Sequence, residues 1–193
     1  MFMLPLIIAA AIGGPLGGWM APRFGLRPVA TIAMAASAAS LFGIALVDFA
    51  HDKAMVTGLL VALGLSLGVG LLASSVAIMG NAPPERAGAA GALESTGYEL
   101  GGGLGVTFFG VFVNSIYSSS VETDAEGARN SIGEAMTLAS SVGGAKGEAI
   151  ASAARLAFVN AHGTVLFVSA SMIALLAVGV FLALRSAVAS RHH

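Results

Sequence analysis

AGAAGALESTGYELGGGLGVTFFGVFVNSIY, residues Ala87 to Tyr117, is the stretch from which the rest of the chain is read. It is longer than the about 20 mostly apolar residues needed to cross a bilayer core. Yet it carries two carboxylates, Glu94 and Glu99. A charge near the middle of a spanning helix costs roughly 2.5–3.5 kcal/mol on insertion scales. Two such charges in one helix point to chemistry rather than decoration. At 1.5 Å per residue, Glu94 lies about 10 Å and Glu99 about 18 Å from the start of the helix, which puts Glu99 near the bilayer centre. Five residues correspond to about 140° of rotation, so the two carboxylates do not share a face.

Composition agrees with a membrane origin for this helix. The chain has 193 residues, of which 56% are hydrophobic and 10% charged, and its mean hydropathy is +0.89. A soluble domain carries about 25% charged residues. The expected fold is therefore all-α, an integral membrane protein with several transmembrane helices. A net charge of −1 offers no electrostatic footprint for nucleic acid. Cysteine is absent, which excludes disulfides, thiolate metal sites and cysteine nucleophiles. No metal-ligand spacing, phosphate loop or cofactor fingerprint appears, so neither an enzyme nor a bound cofactor or metal is expected. Gly101-Gly-Gly-Leu-Gly105 imitates a glycine-rich loop, but it lies in an apolar helix with no strand before it. The N-terminus has no basic n-region and does not read as a signal peptide.

The apolar runs give five spans, at about 1–20, 28–47, 54–80, 87–117 and 162–184. Pro15 and the glycines around it should kink the first span or let a neighbour approach closely. Asp48, His51, Asp52 and Lys53 form a polar turn. Pro83 and Pro84 break the third span from the fourth. Residues 118–160 are too polar for lipid. Ile132, Ala135, Met136 and Ala139, then Ile150, Ala153, Ala154, Ala157 and Phe158, repeat at helical spacing on either side of Gly143-Gly144. They predict a short extracellular helical hairpin. Arg23, Arg27, Arg86, Arg185 and Arg191 lie on one side of the membrane and Lys53 alone in a short loop on the other. By the positive-inside rule the arginine loops and the C-terminus are cytoplasmic. The long loop, with Glu122, Asp124, Glu126, Glu134 and Glu148, is then outside. Five spans with Met1 inside an apolar run suggest part of a longer transporter domain, because transporters are usually built from paired repeats.

Three sequence elements carry a family resemblance. Gly18-Trp-Met-Ala-Pro-Arg-Phe-Gly-Leu-Arg27 is similar to the cytoplasmic G-x-L-a-D-R-x-G-R-R signature of the major facilitator superfamily. Gly18, Arg23, Gly25 and Arg27 match it, while Pro22 stands where the family carries an acidic residue. Gly13-Gly-Pro-Leu-Gly-Gly18 resembles the antiporter element G-P-x-x-G-G, which lies in an earlier helix of the family. NAPPERAGAAGALESTGYELGGGLG, residues 81–105, is similar to the penultimate helix of the fourteen-helix drug–proton antiporters and the loop before it. That branch exports quaternary ammonium compounds, methyl viologen and related cationic drugs. The resemblance implies a partial C-terminal bundle, about helices 10–14, in a multi-pass inner (cell) membrane protein. It also implies proton-coupled multidrug efflux by alternating access, inactive without the missing N-terminal helices.

On this basis the candidate proton- and cation-binding residues are Glu99 and Glu94. A buried carboxylate titrates closer to neutral pH. A cationic drug competing for it would exchange with protons. The alternative for each is a structural carboxylate paired with arginine or backbone. Tyr98, one turn from Glu94, is a possible substrate contact through a cation–π interaction worth about 0.5–2 kcal/mol, or else packs with its hydroxyl satisfied. Gly97, Gly101 and Gly105 form a ridge expected to pack against another helix. Phe108, Phe109 and Phe112 read as apolar bulk, Trp19 as an interfacial anchor and His162 as a boundary residue. The expected partners are cationic drugs, protons, the lipid bilayer, and the missing helices or a partner chain. Two other functions stay open: a non-transporting membrane interaction protein, and a half-size transporter completed by a second chain.

Overall fold

A computed structural model describes residues 3–47, 52–122, 125 and 127–189, with side chains up to residue 183. Asp48, His51, Asp124, Glu126, Arg191 and the terminal histidines His192 and His193 lie outside the described residues. Six α-helices follow one another: α1 (Leu4–Phe24), α2 (Leu26–Leu46), α3 (Lys53–Met79), α4 (Ala87–Ser120), α5 (Ile132–Val142) and α6 (Gly144–Ala189). A single 3-10 turn, Pro84–Arg86, precedes α4. All but α5 are long and apolar enough to cross a membrane. The protein is an all-α, multi-pass membrane protein.

The described chain forms two compact units, residues 1–98 with 166–193, and residues 99–165. In the first unit α3 lies against α1 and α2. The α1–α3 contact is made by small residues. Ala9, Gly13, Gly17 and Ala21 are one stripe of α1, and all four are buried. A Cβ at Gly13 would run into the Leu65 carbonyl oxygen, and one at Gly64 into that of Leu6. At Gly68 it would meet the Ala10 carbonyl oxygen, and at Gly17 it would stand 3.1 Å from the Val69 backbone. Low residue numbers of α1 meet low numbers of α3, and high meet high, so the two helices run parallel. Lipid tails are as apolar as leucine, so helices associate here through close van der Waals contact rather than the hydrophobic effect. Proline does not end α1: Pro15 and Pro22 both lie inside it.

The α2–α3 contact holds a polar pair. The Ser37 and Ser66 hydroxyls are buried 2.8 Å apart. Ser66 donates to the Leu63 carbonyl at 2.9 Å. Its single proton is thereby used, so Ser37 is the donor between the two hydroxyls. Toward the other end Ile44, Val56, Leu60 and Leu63 make an aliphatic cluster that Leu6 and Leu166 cover.

The second unit has a core built largely of alanine: Tyr117, Val121, Ala128, Ala135, Ala154, Ala157 and Ala161. The fully buried Tyr117 hydroxyl donates to the Ala128 carbonyl at 2.8 Å and ties the end of α4 to the following turn. Ser131 caps α5 by accepting from the Glu134 amide at 3.1 Å. Gly143 and Gly144 both take positive φ, 63° and 58°, which lets the chain reverse between α5 and α6. Helix α5 lies before this pair and α6 begins at its second glycine. Helix α6 does not stop near Asn160, however. It runs without a break into the last span as one 46-residue helix. No proline or left-handed residue interrupts residues 145–189, so nothing forces the polar stretch and the apolar stretch apart.

Candidate functional site

Helix α4 carries the two carboxylates on a nearly bare cylinder. Tyr117 is its single buried residue. Glu94 and Tyr98 belong to the first unit. Glu94 is half-buried, and Tyr98 is 65% exposed. Glu99 opens the second unit and is exposed. Among the described residues neither carboxylate has a hydrogen-bond or ion-pair partner. Nor does any group of three or more His, Asp or Glu residues gather at metal-binding distance. The helix forms because Pro83 and Pro84 end the preceding segment, and no proline follows before Ser120.

The glycine ridge expected to pack, Gly97, Gly101 and Gly105, is open. A Cβ at any of the three would meet nothing within 4 Å. Within this chain the ridge packs against nothing among the described residues. The glycines that do pack lie on α1 and α3. Phe108 meets Phe109 edge-on at 5.4 Å and stacks with Phe112 at 6.0 Å, so these rings first contact each other. His162 stacks on Phe158 at 6.2 Å within the long α6.

The arginine-rich element builds the α1–α2 turn. Gly25 is the single non-helical residue between the two helices, and its φ of +85° favours glycine. The turn is so short that α2 starts at Leu26, before Pro28. Proline is tolerated there because the first-turn N–H groups have no intrahelical acceptor. Gly18 is exposed, and a Cβ on it would lie 2.9 Å from Leu72. The Arg23 guanidinium lies 4.2 Å from the Trp19 ring centre and that of Arg27 lies 4.0 Å from the Phe181 ring centre. Sequence reasoning did not foresee the second contact, since Phe181 is 154 positions away and no local pattern joins them.

Residues 1–123 match the Major Facilitator Superfamily. Over 193 aligned residues, 96% of this chain, the sequence is 44% identical to the methyl viologen resistance protein SmvA of Salmonella typhimurium, in strains 14028s and LT2. The match covers 39% of that relative, so the chain spans about two-fifths of its length. A tetracenomycin C resistance and export protein of Streptomyces glaucescens is 33% identical over 113 residues, 58% of this chain and 21% of its own length.

Proposed function

The chain belongs to the Major Facilitator Superfamily, and on that premise we propose that it is part of a proton-driven exporter of hydrophobic cationic drugs working by alternating access. The observation that carries this is the placement of Glu94 and Glu99 on an apolar helix with no partner for either among the described residues. A carboxylate is kept in such a helix at a cost, and the cost is offset when it binds a proton or a cation. The names of the relatives, resistance to methyl viologen and export of tetracenomycin C, support a drug as cargo. Methyl viologen is a flat cation, which suits a carboxylate with a tyrosine ring beside it. In this reading Glu99 exchanges proton for drug, Glu94 assists and Tyr98 contacts the drug. The arginine turn and the C-terminus face the cytoplasm of a cell whose inner membrane holds the transporter. The chain moves no drug alone, because the remaining length of its relatives supplies the other wall of the path.

The test is Glu99→Gln in a full-length transporter containing this chain, in vesicles with an imposed pH gradient. Drug-dependent proton release is expected to fall by about a hundredfold, the lower end of the range for one positioned proton-transfer group. Unchanged, pH-sensitive export would end the proposal for Glu99 and move it to Glu94. Unchanged export in Glu94→Gln as well would reject both.

A further inference from the structure

An apolar groove of about 400 Å³ runs between α2 and α6 in the first unit. Ala35, Ala38 and Phe42 line it from α2, and Ala174, Val178 and Phe181 from α6. From Thr31 to Phe42 it follows α2 for about 17 Å at 1.5 Å per residue. Phe42 and Phe167 close its far end edge-to-face at 5.0 Å. At the near end stands Arg27, whose guanidinium lies over Phe181, itself part of the groove wall. The Arg27 Nε–H is buried and has no hydrogen-bond partner among the described residues. A buried donor without an acceptor is destabilising unless something outside the protein supplies one. The first turn of α2 has no acidic residue and no side-chain cap. It presents free amides and the positive end of the helix dipole beside the same arginine.

We propose that this groove holds one anionic phospholipid, with an acyl chain between α2 and α6 and its phosphate on Arg27 at the start of α2. The two halves of the groove match the two halves of a lipid. The apolar walls lie within membrane-spanning helices, where hydrocarbon is the available occupant. The cation lies at the end of a spanning helix, at headgroup depth, where basic residues between helices favour anionic headgroups. A planar guanidinium pairs with phosphate through parallel N–H donors, and its stacking on Phe181 holds the plane in place. Ala35 and Ala39 are exposed on the groove side of α2, so the floor is open within the described chain.

The experiment uses the whole 193-residue chain, purified in detergent and offered an equimolar mixture of phosphatidylglycerol and phosphatidylcholine, with retained lipid read by native mass spectrometry. One phosphatidylglycerol is expected to be retained about tenfold over phosphatidylcholine. Arg27→Gln should remove that preference and Arg27→Lys should restore part of it. Ala39→Phe, which fills the open floor without entering the core, should reduce retention of both lipids. Circular dichroism reports whether each variant folds. If Arg27→Gln does not, the wild-type preference and Ala39→Phe decide the matter. Equal retention of the two lipids by the wild type overturns the proposal, and so does unchanged retention in Ala39→Phe. Loss of the preference on adding inorganic phosphate, with Ala39→Phe inert, would reduce the site to a phosphate contact. Since the chain has no native cysteine, Ala39→Cys tests a second copy as the occupant: an efficient disulfide between two copies would assign the groove to that copy and overturn the lipid.

Discussion

Glycine ladders with the same four-residue spacing behave differently on different helices of this molecule. Gly13 and Gly17 on α1 and Gly64 and Gly68 on α3 bring backbones so close that no side chain fits between them. Gly97, Gly101 and Gly105 on α4 touch nothing within 4 Å. Glycine spacing is a licence for close approach and not a partner. Contact energy between helices in lipid comes from van der Waals packing, which needs a second surface at short range. On α1 and α3 each ladder supplies that surface to the other. On α4 the ladder is unmatched within the described chain, and the same helix carries the unpartnered carboxylates.

One substitution made in a packed ladder and in the open one would break this comparison most directly. Gly68→Ala forces a methyl into the Ala10 carbonyl and should destabilise the chain by about 1–3 kcal/mol, the usual range for overpacking. Thermal unfolding in detergent, followed by circular dichroism, reads it. If Gly68→Ala melted like the wild type, the tight α1–α3 contact would be wrong.

The alanine core of the second unit gives the next effect. Tyr117→Phe removes the buried bond to the Ala128 carbonyl and leaves that acceptor unpaired. A loss of about 1–2 kcal/mol is expected, with amide exchange rising first around residues 117–128. Exchange that stays unchanged there would show that the ring alone holds the turn.

Gly101→Ala should act with the opposite sign to Gly68→Ala. With open space around it, alanine stabilises a helix by about 0.5–1 kcal/mol over glycine, so the melting temperature should rise. The same change in a longer transporter sharpens the contrast. A fall in stability there would mean that another helix covers the ridge.

The smallest effect belongs to the serine pair. Ser37→Ala removes the donor to Ser66 between α2 and α3. Interhelical hydrogen bonds in membranes average about 0.6 kcal/mol, and a loss of that order is expected in the same melting assay. Destabilisation well above that would make the pair, rather than the glycine contact, the main tie on α3.

The number and type of spanning helices were legible in the sequence because lipid leaves the backbone few options. Every N–H and C=O in the apolar core must be paired internally, so a long apolar run is a helix. Gly143-Gly144 was readable as a break between helical stretches because glycine tolerates the backbone of a reversal. The extent of α6 was not, since a polar stretch such as residues 145–160 and an apolar one such as 162–183 read as two segments although no residue between them ends a helix. Of the candidate site, the identity of Glu94 and Glu99 and their different faces on α4 could be read directly, because spacing along a helix is arithmetic. Their lack of partners could not, since a partner can come from any point in the chain.

The sequence by itself determined that this is an all-α membrane protein with five apolar spans and two carboxylates on one of them, because burial in lipid and helical periodicity are local constraints. Tertiary structure alone decided which glycines pack, that Ser37 meets Ser66, and that Arg27 stacks on Phe181 beside an apolar groove. Those pairings join residues 29 to 154 positions apart. They depend on which helix faces are brought together, and no local spacing encodes that.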